Sequence, residues 1–192
     1  MLTKLRNRLS IAVEPLVKHI AKLGLTPNSL TIASLLIMIA GFSTLIITGN
    51  KFLFLPALVA SLILDALDGS LARYTGKVTK FGGVLDSTVD RVNDFLSIAS
   101  LKIIGLPELL VYIAIVTSFL TSYIRARVEV EGVRMEGVGL IERGERAIYL
   151  VAIYLITFIS CEASVIALAL FILLTLITVL QRLMYAHRSL RS

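Results

Sequence analysis

A single cysteine, Cys161, stands in this chain of 192 residues, which excludes an intramolecular disulfide. Its simplest reading is a small buried apolar side chain. Tryptophan is absent and prolines number four. Charged side chains make up only 17% of the chain and hydrophobic ones 57%, with a mean hydropathy of +0.89. Soluble domains hold roughly 45–50% apolar and about 25% charged residues, so this composition points to a membrane. Residues 1–24 carry no long apolar core, which argues against a cleavable signal peptide. No repeat relates residues 1–96 to 97–192, and the apolar runs leave no stretch for a soluble domain.

What is present is a series of apolar runs. A membrane-spanning helix needs about 20 mostly apolar residues, and six fit, at about 29–48, 52–73, 82–104, 108–124, 145–160 and 163–181. Ahead of them, residues 3–23 repeat Leu5, Leu9, Val13, Leu16, Ile20 and Leu23 at helical spacing, edged by Lys4, Arg6, Arg8, Lys18 and Lys22. That pattern predicts an amphipathic helix on an anionic membrane surface, broken or kinked at Pro15. His19 falls on it as a surface residue. The expected fold is therefore all-α and integral to the membrane: an interfacial helix over 1–24, then six transmembrane helices over 25–192. The net charge of +6 reads as topology and lipid contact rather than nucleic-acid binding. Lysines and arginines crowd the N-terminus, the 73–80 loop, the 125–146 region and the C-terminus, while the opposite ends hold only Lys51 and Lys102. The expected topology is multi-pass in the cell membrane with both termini cytoplasmic.

Four carboxylates interrupt the apolar runs: Asp65, Asp68, Asp86 and Asp90. Spacings of three and four place each pair on one helix face. Two such helices meeting at adjoining ends make a box of four carboxylates, near the cytoplasmic side by the topology above. A box of that kind does not stay ionised in a low dielectric without cations. Hard oxygen ligands suit Mg²⁺, Mn²⁺ or Ca²⁺, and two ions can clamp a phosphate during a displacement. Gly69, Gly82 and Gly83 beside the aspartates permit close approach of a ligand. Arg73 either holds a phosphate or snorkels to the interface, and Asp94 lies one further turn along. Two other readings remain open at this point. The aspartates pair with Arg73, Lys77, Lys80 and Arg91 as a buried ion network, or they serve a cation-coupled transporter.

At these residues the sequence resembles the CDP-alcohol phosphotransferase family. Asp65, Asp68, Gly69, Ala72 and Arg73, then eight residues, then Gly82, Asp86 and Asp90 match every element of its signature. The resemblance implies an enzyme that displaces CMP from a CDP-lipid with an acceptor hydroxyl. It implies that Asp65, Asp68, Asp86 and Asp90 bind two Mg²⁺ or Mn²⁺ ions, with Asp90 also the general base. It implies that Gly69, Ala72, Arg73 and Gly82 line the CDP pocket, and that the protein is a homodimer. Asn28 and Thr31 match a looser element near the nucleotide, although helix capping accounts for them equally well.

Arginines concentrate after the fourth run, at Arg125, Arg127, Arg134, Arg143 and Arg146, with Arg182 at the end of the sixth. Guanidinium forks match phosphate oxygens. Arg143 and Arg146 alternate with Glu142 and Glu145 directly against an apolar run, a costly place for mere anchoring. An acceptor carrying its own phosphate is favoured. The stretches 122–129 and 141–146 look like the inositol-phosphate branch of the family, which implies Arg125, Arg146 and Arg182 as ligands of the acceptor phosphate, with inositol 1-phosphate preferred. Bacterial members often carry lysine where Arg125 stands. Glycerol 3-phosphate is the alternative acceptor. The lipid is CDP-diacylglycerol or CDP-archaeol.

Overall fold

The structure is a computed structural model and describes residues 15–191. Among them there are helices and turns but no strand. Residues 15–22 are helical; the rest of the interfacial helix expected from the sequence lies outside the described residues. Six helices follow: α1 (Pro27–Thr48), α2 (Lys51–Thr75), α3 (Lys80–Ile103), α4 (Glu108–Val130), α5 (Arg143–Ile156) and α6 (Cys161–Leu190). They answer the six apolar runs one for one. Four of them, α1, α2, α4 and α6, are long and apolar enough to cross a membrane. The charges of α3 and the 14-residue length of α5 set those two apart.

Local chemistry explains the boundaries. Pro27 opens α1, where its missing N–H costs nothing. Thr26 and Ser29 cap the turn reciprocally: Ser29 N donates to Thr26 Oγ1 at 3.2 Å and Thr26 N to Ser29 Oγ at 3.1 Å. At α5 the carboxylate of Glu142 and that of Glu145 form a capping box, with Glu142 N donating to Glu145 Oε2 at 2.9 Å. Ser160 caps α6 by accepting from Ala163 N at 3.2 Å. The residue after that cap is Cys161, which is exposed rather than buried as its residue type suggested. It starts a helix instead of sitting in a packed middle turn.

The described chain forms two compact units, 15–44 with 52–93, and 45–51 with 94–191. In the first, Val17 and Ile20 of the 15–22 helix pack with Leu30 of α1 and Leu67 and Leu71 of α2. Gly41 of α1 lets the backbone approach Ala57 of α2 so closely that a Cβ there would strike the alanine side chain. Small residues at helix contacts are the usual means of close packing in membranes.

In the second unit, the loop between α4 and α5 folds onto α6. Met135 is fully buried with Ile124, Val128, Val179 and Ala186. Thr178 Oγ1 accepts from Ile141 N at 3.2 Å, and Arg182 Nε donates to Val138 O at 2.9 Å. Gly139 has φ +118°, and a Cβ on it would collide with the Thr178 methyl group. Buried Thr175 Oγ1 donates to Thr117 Oγ1 at 2.9 Å, joining α6 to α4. At the other end of α5, Lys51 Nζ donates to Thr157 O at 2.6 Å and lies 4.7 Å from the centre of the Phe158 ring.

Candidate functional site

The first unit holds the carboxylates. Asp65 and Asp68 lie a turn apart on α2, and Asp86 lies in the second turn of α3. Each offers an oxygen, and these oxygens all lie within 4.8 Å of one another. Three carboxylates at that separation repel strongly, and they form an all-oxygen donor set suited to a hard divalent cation. The residues present therefore fit such an ion. Asp90, one turn after Asp86, stands outside that group of three and is 5% exposed.

Thr31 belongs to the same assembly. Its Oγ1 donates to Asp68 Oδ2 at 2.5 Å, a hydrogen bond from α1 that orients a candidate metal ligand on α2. Capping of α1 falls to Thr26 and Ser29, so neither Asn28 nor Thr31 is needed as the cap.

A cavity of about 200 Å³ opens beside the carboxylates. Asn28, Thr31, Gly69, Ala72, Arg73 and Gly82, the whole set that the sequence pointed to for a nucleotide, all line it, together with Asp68 and Asp86. Gly83, which the sequence marked for close approach of a ligand, lines it too, as do Lys77, Val78 and Thr79; for those three only the signature's fixed spacing on both sides hinted at a wall there. Gly82 is required by shape. A Cβ on it would meet Thr79 Oγ1 at 2.9 Å and Asn28 Oδ1 at 3.1 Å. Its N–H donates to the same Thr79 oxygen at 2.9 Å. Arg73 is exposed and donates through Nη2 to Ser70 Oγ at 3.1 Å.

The arginines proposed for an acceptor fall in the second unit and differ in setting. Arg146 and Arg182 are both 2% exposed. Arg146 Nη2 lies 3.2 Å from Asp94 Oδ2 and 3.1 Å from Ser122 Oγ. Arg182 donates to two backbone carbonyls, those of Val138 and Thr121, so two of its five N–H donors hold the loop and α4 in place. Arg125 is half-exposed and pairs with Glu129 one turn on, at 2.9 Å. Glu142 accepts from Gly137 N at 2.7 Å in addition to its capping role. Ser122 and the partnership of Asp94 with Arg146 were not evident from sequence, because the three residues are separated by 24 and 52 positions.

Comparison with known proteins places these features in context. The family model described as CDP-alcohol phosphatidyltransferase matches residues 24–184. The chain is 37% identical over 192 residues to the archaetidylinositol phosphate synthase of Pyrococcus horikoshii, covering 99% of this chain and 98% of that protein. Its fold is similar to the crystal structure of Mycobacterium tuberculosis phosphatidylinositol phosphate synthase with CDP-DAG bound, with a TM-score of 0.79 and 32% identity over 90% of this chain and 92% of that one. The same mycobacterial enzyme in complex with manganese and citrate matches with a TM-score of 0.77 and 32% identity, over 90% of this chain and 87% of that one.

Proposed function

The chain belongs to the CDP-alcohol phosphatidyltransferase family, and from that premise we propose that it transfers a phosphatidyl- or archaetidyl-type group from a CDP-lipid to 1L-myo-inositol 1-phosphate, releasing CMP. It is a membrane-embedded transferase of phospholipid synthesis. Likeness over its whole length to a synthase named for inositol phosphate carries the choice of acceptor. Two buried arginines supply the chemistry an acceptor phosphate needs.

In this reading Asp65, Asp68, Asp86 and Asp90 hold two divalent ions, Mg²⁺ or Mn²⁺; manganese is present in a mycobacterial relative's crystal structure. When bound, such ions neutralise diphosphate charge and lower the pKa of a nearby hydroxyl. Asn28, Thr31, Gly69, Ala72, Arg73 and Gly82 seat the cytidine diphosphate, with the Arg73 guanidinium toward phosphate oxygens. Asp90 accepts the proton of the acceptor hydroxyl as its oxygen bonds to the lipid-bearing phosphorus. The bond from that phosphorus to the bridging oxygen breaks, and CMP carries the bridging oxygen away. Arg125, Arg146 and Arg182 hold the acceptor's own phosphate. Asp68 and Asp86 line the cavity of the first unit, and Arg125, Arg146 and Arg182 lie on α4, α5 and α6.

The membrane layout proposed is six crossings after an interfacial helix over 1–24, with both termini and the active site cytoplasmic, as the lysine and arginine distribution supports. The family also supports a homodimer. Membership in a transferase family sets the transporter reading aside.

The test is CMP release by purified protein given CDP-archaeol or CDP-diacylglycerol, Mg²⁺ or Mn²⁺, and in turn inositol 1-phosphate, glycerol 3-phosphate, free inositol or serine. Turnover with inositol 1-phosphate alone is expected. Turnover with glycerol 3-phosphate in its place overturns the acceptor assignment and keeps the metal site. The better of the two donors names the lipid.

A further inference from the structure

A buried asparagine ties together the three helices that build the carboxylate site. Asn93 of α3 is 4% exposed, and its Nδ2 lies 3.2 Å from Ser61 Oγ on α2 and 3.4 Å from Ser34 Oγ on α1. Both serines are fully buried. Ser34 Oγ donates its own proton to Thr31 O at 2.8 Å, so it meets Asn93 as an acceptor. One side-chain amide with two N–H donors thus reaches two hydroxyls on two other helices.

Each member of this clasp stands one helical turn from the carboxylate site. Ser34 comes three residues after Thr31, Ser61 four before Asp65, and Asn93 three after Asp90. Lipid tails are as apolar as leucine, so burial of apolar side chains does little to align one membrane helix on another; close packing and interhelical hydrogen bonds do that. A helix turns about 100° and rises about 1.5 Å per residue. A slip of α3 by one residue would take Asp86 away from Asp65 and Asp68. We propose that Asn93 is a positioning residue: with Ser34 and Ser61 it fixes α3 in register on α1 and α2, so that Asp86 joins Asp65 and Asp68 while Thr31 reaches Asp68. The proposal rests on reading those carboxylates as divalent-metal ligands.

The test measures Mn²⁺ affinity of the full-length protein in nanodiscs, by the electron paramagnetic resonance signal of free Mn²⁺, beside the thermal unfolding midpoint. Asn93→Leu and Ser61→Ala are expected to raise the Mn²⁺ Kd on the order of tenfold, the lower end of outer-shell losses. Thr175→Val removes a buried interhelical hydrogen bond of the same kind between α6 and α4. It is expected to lower the unfolding midpoint and leave the Mn²⁺ Kd unchanged. If Asn93→Leu does not fold, Ser61→Ala decides the question alone. An unchanged Kd in both clasp variants overturns the proposal, as does an equal rise in Thr175→Val, which would mean general loosening. Asp65→Asn separates the two readings. If it binds Mn²⁺ as wild type does, the metal site fails and the clasp with it. If it loses Mn²⁺ while the clasp variants keep it, the clasp alone fails.

Discussion

Arg146 Nη2 lies 3.2 Å from Asp94 Oδ2 and 3.1 Å from Ser122 Oγ, and all three residues are buried. The guanidinium is therefore held from two sides by α3 and α4 before any acceptor arrives. A charge fixed in that way loses little freedom when it meets a phosphate. Breaking such a buried pair from one side costs about 3–5 kcal/mol, because the remaining charge stays uncompensated.

Arg146→Ala should accordingly do two separable things. It should raise the KM for inositol 1-phosphate at least tenfold with little change for the CDP-lipid, and it should lower thermal stability. The double variant Asp94→Asn with Arg146→Ala should recover much of the stability and none of the acceptor KM. Steady-state CMP release and thermal scans on the same preparations check both. An acceptor KM unmoved by Arg146→Ala removes this arginine from the acceptor site.

Asp90→Asn keeps the shape of the side chain and removes its basicity. Turnover should vanish while CDP-lipid binding stays largely intact. Isothermal titration with the CDP-lipid beside the CMP assay decides it: lost binding would make Asp90 mainly structural.

Gly82→Ala places a methyl group 2.9 Å from Thr79 Oγ1 and 3.1 Å from Asn28 Oδ1. Overpacking of this sort costs about 1–3 kcal/mol. The KM for the CDP-lipid should rise about tenfold, with the acceptor KM unaffected. A wild-type KM for the CDP-lipid would show that Asn28 yields freely and does not contact the nucleotide.

Thr31→Val removes the hydroxyl that donates to Asp68 and keeps the shape. Metal affinity should fall about tenfold, in line with other outer-shell partners, and excess Mn²⁺ should restore much of the turnover. Chelation with EDTA should abolish turnover in the wild type, and Mg²⁺ or Mn²⁺ should return it. A raised CDP-lipid KM at unchanged Mn²⁺ affinity would instead make Thr31 a nucleotide contact.

The helices were legible because apolar runs are punctuated by glycine, proline or asparagine, as at Gly49-Asn50 and Gly105-Leu-Pro107. That Asp65 and Asp68 act from one face of α2 was legible because a spacing of three survives folding; the meeting of that face with Asp86 is what the structure adds. The sixth run stops at 181 in the sequence but the helix does not: α6 continues to Leu190, and Arg182 turns its donors to the carbonyls of Val138 and Thr121, because a charge at the end of an apolar run does not say where a helix stops. Cys161 misled for a similar reason, since residue type says nothing of a place directly after a cap. Thr31 with Asp68, and Asn93 with Ser34 and Ser61, were out of reach. Periodicity tells which residues share a face of one helix; it does not tell which face of another helix they will meet.

The brevity of α5 bears on the lipid around it. Fourteen residues make a helix about 21 Å long, against a hydrocarbon layer of about 30 Å. In the proposed layout, where α5 is the fifth crossing, the Lys51 ammonium bonded to Thr157 O fixes a cation at the end of that short helix. That layout would require the bilayer to thin there, or water to follow the charge inward. Activity should then vary with acyl-chain length in reconstituted vesicles, because the thickness mismatch is borne by one short helix.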